Sequence, residues 1–416
     1  MNGEFLRVAG EFGGRGENSL LRIRGRPLET DVSRPGVPPP KALASHVAPL
    51  LLQDESLPVM STTTSLATLT EMPPLRTATL ELSYRAQGRV RLPSPPAHVW
   101  RGQLGYYLHR LAAEEDHEQD LSLYQRLFRT PRSAVSVPDY GGRVLGPIGL
   151  AGEHVPHPFV LRHATPEAPA TDARLAPGDE TTVELILMGP AVRHLPQLTA
   201  LFETMGTGGL GRRVEQPDGS TARGAMALTG AALRIEGVTL TLYDGTEWRL
   251  PPTCGPELHD RAAALSPGGD ESDEVPEGPL TVTLRAPTRL RFAGDLVSPD
   301  ALDANALAAS LYRRGLGMAV CYGPVAPSAE QITASQDGFK ALATPTTLDT
   351  ADVRWVENRR YSHRQERTVP AGGLVGTLRL EAPPEACRVW DAWVGRAERI
   401  HLGGGTSMGL GRVVRG

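Results

Sequence analysis

Apolar and polar positions alternate in two separate stretches of the chain. Residues 75–93 read LRTATLELSYRAQGRVRLP and residues 278–295 read GPLTVTLRAPTRLRFAGD. A period of two predicts a strand that buries one face. Each stretch is followed by apolar residues at helical spacing: HVWRGQLGYYLHRLAAEE over 98–115, and DALDANALAASLYRRGLGMAV over 300–320. Further on, TTVELILMGPAV (181–192) and GGLVGTLRLEA (372–382) read as strands. Each precedes a second amphipathic helix, LPQLTALFETM (195–205) or ACRVWDAWVGRA (386–397). Each second helix runs into a glycine cluster and a last strand, GTGGLGRRV (206–214) or HLGGGTSMGLGRVV (401–414).

The chain is thus an internal repeat of strand, helix, strands, helix, strand. That order predicts an α+β fold of two tandem ferredoxin-like (RRM-like, βαββαβ) domains, the second ending in a glycine-rich loop. Composition sets the boundaries. Residues 1–73 hold VSRPGVPPPK and STTTSLATLT without sustained periodicity, and are expected to be a disordered or non-native tail. Residues 251–278 contain SPGGDESDEVPEGP, acidic and nearly free of large apolar side chains, as a linker should be. The folded blocks are then 74–250 and 279–416.

The 416 residues carry a net charge of −4, so a chain-wide basic coat is excluded and any nucleic-acid contact must be local. Residues 351–416 are locally positive, with eleven arginines against seven acids, and Arg359, Arg360, Arg364 and Arg367 fall close together. Lys41 and Lys340 are the only lysines, so cationic chemistry falls to arginine, whose fork binds phosphate bidentately. The cysteines Cys254, Cys321 and Cys387 form neither a disulfide framework nor a metal knuckle. No apolar run is long enough to span a bilayer, and the start lacks the order of a signal peptide, so a soluble cytoplasmic protein is expected.

The cluster Gly403, Gly404, Gly405, Thr406, Ser407, Gly409, Gly411 and the following Arg412 enters a strand from a helix. That is the reverse of dinucleotide and Walker loops. Exposed backbone N–H groups in such a loop can cradle phosphates. The ending HLGGGTSMGLGRV resembles the C-terminal signature of the RAMP superfamily and, more narrowly, of the Cas-six family of CRISPR precursor-RNA processing endoribonucleases. WRGQLGYYL, SLYQRLFRT, VPHPFVL, LILMGPAVRHLPQLTALFETMGTGGLG, RLRFAGDL, RRGLGMAVCYG and VRWVENRRYSHRQ resemble further family segments in the same order, across residues 75–416. Two features depart from the family: there are no cysteines around LYQRLF, and no basic residue lies inside the last glycine loop.

The resemblance implies cleavage of CRISPR repeat RNA without metal or cofactor. The 2′-OH attacks the adjacent phosphate and leaves 2′,3′-cyclic phosphate and 5′-OH ends. Such a reaction needs in-line positioning, a base for the 2′-OH proton, and cations or N–H donors for the phosphorane charge. Candidates for the base are His109, then His98, then His363. Tyr106 would orient the leaving oxygen, sharing a helical face with His109 at i, i+3. Arg101, Arg110, Arg360 and Arg364 would join the glycine loop and Arg412 in binding RNA. His157, between two prolines, is read as structural, and His401 as ordering the glycine loop. The partners are precursor and mature guide RNA, with a CRISPR effector complex as a further possibility and no membrane. A non-catalytic RAMP subunit that binds guide RNA is the alternative, since the fold does not distinguish the two. A small-molecule binder of the same fold would need a pocket motif that the sequence lacks.

Overall fold

Strand β1 (Thr77–Ala86) buries every second residue, Ala78, Leu80, Leu82, Tyr84 and Ala86, as its alternation requires. The computed structural model describes Leu66, Leu69 and residues 73–114, 121–135, 137–163, 172–235, 238–249, 278–362 and 366–416. All of these belong to one compact unit, Met60–Gly416.

The first block continues with β2 (Val90–Leu92), helix α1 (Ala97–Glu114), β3 (Phe159–His163), β4 (Ala173–Leu175) and β5 (Glu180–Met188). Helix α2 (Leu195–Thr207), the hairpin β6 (Leu210–Glu215) and β7 (Thr221–Gly224), then β8 (Met226–Ile235) and β9 (Val238–Tyr243) complete it. Its main sheet has the order β3-β5-β1-β8-β9 and is antiparallel throughout. Helices α1 and α2 cover one face. Trp100, Leu104 and Leu108, spaced by four, are the buried stripe of α1. The Trp100 ring packs 4.8 Å from Tyr84 and 6.2 Å from Phe202 of α2. Each large side chain buried this fully contributes roughly 1.5–3 kcal/mol.

The second block comprises β10 (Leu280–Thr288), the small ribbon β11 (Arg291–Phe292) and β12 (Asp295–Leu296), and helices α3 (Ala304–Tyr322) and α4 (Ala329–Ala343). It continues with β13 (Thr347–Asp349), β14 (Arg354–Val356), the hairpin β15 (Arg359–Ser362) and β16 (Arg367–Pro370), β17 (Gly373–Glu381), α5 (Pro384–Ile400) and β18 (Val413–Arg415). Its sheet order is β13-β17-β10-β18, with β14 also on β17, again antiparallel. Asp303 caps α3 by accepting from the Ala306 N–H at 2.8 Å, and Ser328 caps α4 in a box with Gln331.

Three features differ from the sequence pattern. The strand after the first glycine cluster is not the last strand of its sheet. Residues 210–215 turn back as β6 to pair with β7, and β8 takes the place beside β1, with β9 outside it. Gly209 and Gly211, at φ of 82° and 77°, redirect the chain. The structure adds helix α4 and the hairpin β15–β16, which the repeat pattern does not contain. The expected tail is shorter than 1–73: the helical residues Leu66 and Leu69 are buried in the second block, and Trp393 Nε1 donates to the Leu69 carbonyl at 3.1 Å.

The two blocks share a core. Phe159, Leu161, Leu185 and Leu187 pack toward α1 and α2, while Val160, Ile186 and Met188 face the other way. The latter join Leu145, Ile148, Leu150 and Val155 in the core built by β10, β17, α3 and α5. This brings the start of α1 beside the C-terminal glycine loop. Among the described residues no helix is long and apolar enough to cross a membrane.

Candidate active site

The C-terminal glycine loop fits between the two blocks. Gly403, Gly405, Gly409 and Gly411 all have φ between 74° and 82°. A Cβ on Gly409 would lie 2.6 Å from the Cβ of Ala97, at the first residue of α1. One on Gly411 would lie 1.8 Å from the Leu402 carbonyl oxygen. The loop's N–H groups are largely occupied within the fold. Gly404 donates to Arg289, Gly411 to Pro287, Met408 to Gly405 and Gly409 to Thr406. Thr406, Ser407, Gly409 and Gly411 are buried, and Gly404 is the exposed tip. The expected phosphate cradle of free backbone donors is therefore reduced to a few positions; most of these bonds hold the loop to its own block, while Ser407 and Gly409 meet the other block. His401, fully buried at the loop's start, holds it through Nδ1 and the Leu410 carbonyl at 2.9 Å. The carbonyl can only accept, so Nδ1 carries the proton.

Arg101, one turn into α1, reaches this loop. Its Nε donates to Ser407 Oγ at 3.0 Å, and Nη2 lies 3.2 Å from His157 Nε2. The guanidinium also sits 4.8 Å over the Phe128 ring. His157 Nδ1 is 3.1 Å from Thr130 Oγ1, which in turn donates to the Leu127 carbonyl at 3.2 Å. Guanidinium nitrogens only donate, so His157 Nε2 accepts and Nδ1 carries the proton toward Thr130. Burial first, then the charges of Arg101, Arg314 and His154, push the His157 pKa down to about 3. Burial and nearby Arg360 lower Arg101 to about 10, still a cation at neutral pH. No carboxylate pairs with Arg101 among the described residues.

His98 opens the same helix, half-buried. Its Nδ1 is bonded to the Pro95 carbonyl, so Nδ1 is the protonated nitrogen and Nε2 keeps a free lone pair. Its pKa is lowered, chiefly by burial and further by the charges of Arg360 and Arg212, against the Pro95 bond and Asp172. Asp172 is itself held by Arg91 at 2.6 Å and Arg212 at 3.4 Å. Arg360 sits at the root of the hairpin β15–β16, which Asn358 ties to the Ser94 carbonyl at 3.1 Å. The hairpin, α1 and the glycine loop thus converge on His98, Arg101, Arg360 and Ser407. A neutral imidazole among guanidinium groups suits proton abstraction beside a phosphate.

His109 and Tyr106 do share a face of α1, as the spacing predicted, but it is the solvent face. Tyr106 is 55% exposed, with the Arg110 guanidinium 5.9 Å from its ring and Tyr107 edge-on. His109 is exposed and edge-on to Tyr124, ring centroids 5.1 Å apart. Eleven residues separate it from His98, about 16 Å along the helix axis. One scissile bond cannot reach both directly. His363 and Arg364 lie outside the described residues, as do His46, His117 and His259. Arg412, half-buried, follows the loop, and its carbonyl accepts from the Arg285 N–H at 2.9 Å. Sequence reasoning missed the contacts of His157 and the part played by Thr130, a buried residue at φ 39°. The proline pair flanking His157 signalled rigidity but not its partners.

Residues 282–413 match the model of the family described as CRISPR-associated endoribonuclease Cas6, and residues 75–248 match a family described as an N-terminal domain. No curated protein matches the sequence. Similar solved structures include a Cas6 product complex (16% identity, 82% of this chain, 99% of that chain, TM-score 0.44). A Cas6 from Thermus thermophilus has 15% identity over 82% of this chain and 99% of that one, with TM-score 0.41. A Cas6-related protein from Pyrococcus furiosus has 9% identity over 82% and 98%, with TM-score 0.34. At these identities the likeness assigns no residue.

Proposed function

We propose that this member of the Cas6 family of CRISPR-associated endoribonucleases cuts the repeat RNA of CRISPR precursor transcripts in the cytoplasm, releasing guide RNAs that it binds or passes to an effector complex. In this reading the blocks 74–250 and 279–416 are ferredoxin-like lobes joined by the acidic segment 251–278. Both sheets support it: each contains neighbours in the order fourth, first, third, second strand of a βαββαβ unit, β8-β1-β5-β3 (with β9 added outside β8) and β18-β10-β17-β13.

The chemistry is metal-independent transesterification. The 2′-OH oxygen attacks phosphorus, its proton passes to a base, the bond to the 5′ oxygen breaks, and that oxygen takes up a proton. The observation that carries this reading is His98. Its tautomer leaves Nε2 as an acceptor at the point where Arg101, Arg360 and the glycine loop meet. His98 is the base, and the two guanidinium groups stabilise the phosphorane. Tyr106, His109 and Arg110 lie along α1 where RNA leading to the junction would pass.

The test is incubation of the full chain with repeat RNA in EDTA, followed by analysis of the ends. Products with 2′,3′-cyclic phosphate and 5′-OH are expected. Cleavage that leaves 3′-OH ends overturns the mechanism. Binding without cleavage would instead make the chain a non-catalytic guide-RNA subunit.

A further inference from the structure

We propose that His157 is a positioning residue for RNA binding: it holds Arg101 against Ser407 of the glycine loop, so that the guanidinium presents its remaining nitrogen, Nη1, to an RNA backbone phosphate. The proposal rests on the reading of the chain as an RNA-binding protein and adds a residue that the cleavage mechanism does not use.

Arg101 has three nitrogens with N–H groups. Nε is fixed on Ser407 and Nη2 on His157, while Nη1 makes no hydrogen bond among the described residues. A guanidinium held at two of its three nitrogens, with its face over Phe128, loses little further freedom when the third binds a ligand. The surroundings call for an anion. Arg360 and Arg314 add positive charge near Arg101 and His157, and among the described residues neither Arg101 nor His157 has a carboxylate partner. An uncompensated, partly desolvated cation is costly unless an anion completes it.

His157 is built for this task. Its backbone is fastened on both sides: the Pro156 carbonyl accepts from Tyr322 Oη, and the Pro158 carbonyl accepts from the Met188 N–H at 2.9 Å. Its ring stacks at 5.9 Å on Phe159 and lies 6.2 Å from Phe128. Thr130 fixes Nδ1 from a left-handed backbone at φ 39°, a conformation that a β-branched residue adopts only when its surroundings impose it. Burial among arginines keeps the ring neutral, so Nε2 remains an acceptor for Arg101 throughout the working pH range.

The test measures binding of a labelled CRISPR repeat RNA to the full chain across a salt series. His157→Ala should weaken binding by about tenfold and lower the slope of log affinity against log salt by about one phosphate, matching Arg101→Ala. The double variant should bind no worse than Arg101→Ala alone, because both changes remove one contact. His157→Gln, whose amide can accept from Arg101 and donate to Thr130, should restore affinity and slope. A His157→Ala variant that melts normally and binds with wild-type slope overturns the proposal and leaves the cleavage reading standing. Additive losses in the double variant overturn it as well, since they would make His157 a general structural residue. A wild-type chain that binds no RNA overturns the proposal and the reading together.

Discussion

Arg101 and Ser407 stand 306 positions apart in the sequence and are joined by a 3.0 Å hydrogen bond from Nε to Oγ. The bond ties the first helix of one block to the last loop of the other. Ser407 is buried, so its removal leaves a cationic N–H without an acceptor. Ser407→Ala should cost about 1.5–3 kcal/mol. The check is the midpoint of urea denaturation at unchanged slope, and an unshifted midpoint would remove this bond from the account of stability.

In the proposed mechanism His98 is the base, and His109 lies about 16 Å from it along the same helix. His98→Ala should lower the cleavage rate by about 10²–10⁴-fold while RNA affinity holds. His109→Ala should lower the rate by less than about tenfold, because its ring faces solvent beside Tyr124. Single-turnover cleavage of repeat RNA distinguishes them. The reverse ranking would move the reacting centre to the solvent face of α1.

Gly411 and Gly219 share left-handed backbones, at φ 74° and 80°, in different surroundings. A Cβ at Gly219 meets nothing within 4 Å, whereas one at Gly411 falls 1.8 Å from the Leu402 oxygen. Gly219→Ala should cost only the left-handed strain, about 1–2 kcal/mol. Gly411→Ala adds a backbone clash at the block junction and should cost about 3 kcal/mol or more. Thermal melting of both variants checks the difference. Equal losses would mean that the loop can relax without cost.

Acid should destabilise the fold well before its carboxylates are titrated. Burial is the leading cause that lowers His157 to about 3 and His163 to about 4, and that holds His401 well below 6.5. The unfolded chain therefore binds more protons than the native one between roughly pH 6.5 and the native values, and stability falls as pH drops through that window. Each such histidine contributes at most about 1.4 kcal/mol per pH unit, and nothing above pH 6.5 or so. Denaturation midpoints from pH 7.5 to pH 4.5 test this. A flat profile would require these rings to be solvated.

The repeated order of strands and helices was legible in the sequence because period two and period 3.6 follow from local geometry. So were the paired glycine clusters. The pairing of residues 206–214 was not legible, because alternation after a glycine turn marks a strand without naming its partner. Whether that strand joins β1 or folds back onto β7 depends on which long-range ladder forms.

The sequence by itself determined that this chain mixes helices with alternating strands, that its cations are almost all arginine, and that glycines cluster near its end. The tertiary structure alone decided that His157, Arg101 and Ser407 form one hydrogen-bonded row, and that His98 rather than His109 stands among the converging arginines. The physical reason is that spacing along a chain dictates which face a residue occupies. Burial, tautomer and charge environment depend instead on what a distant segment brings against that face.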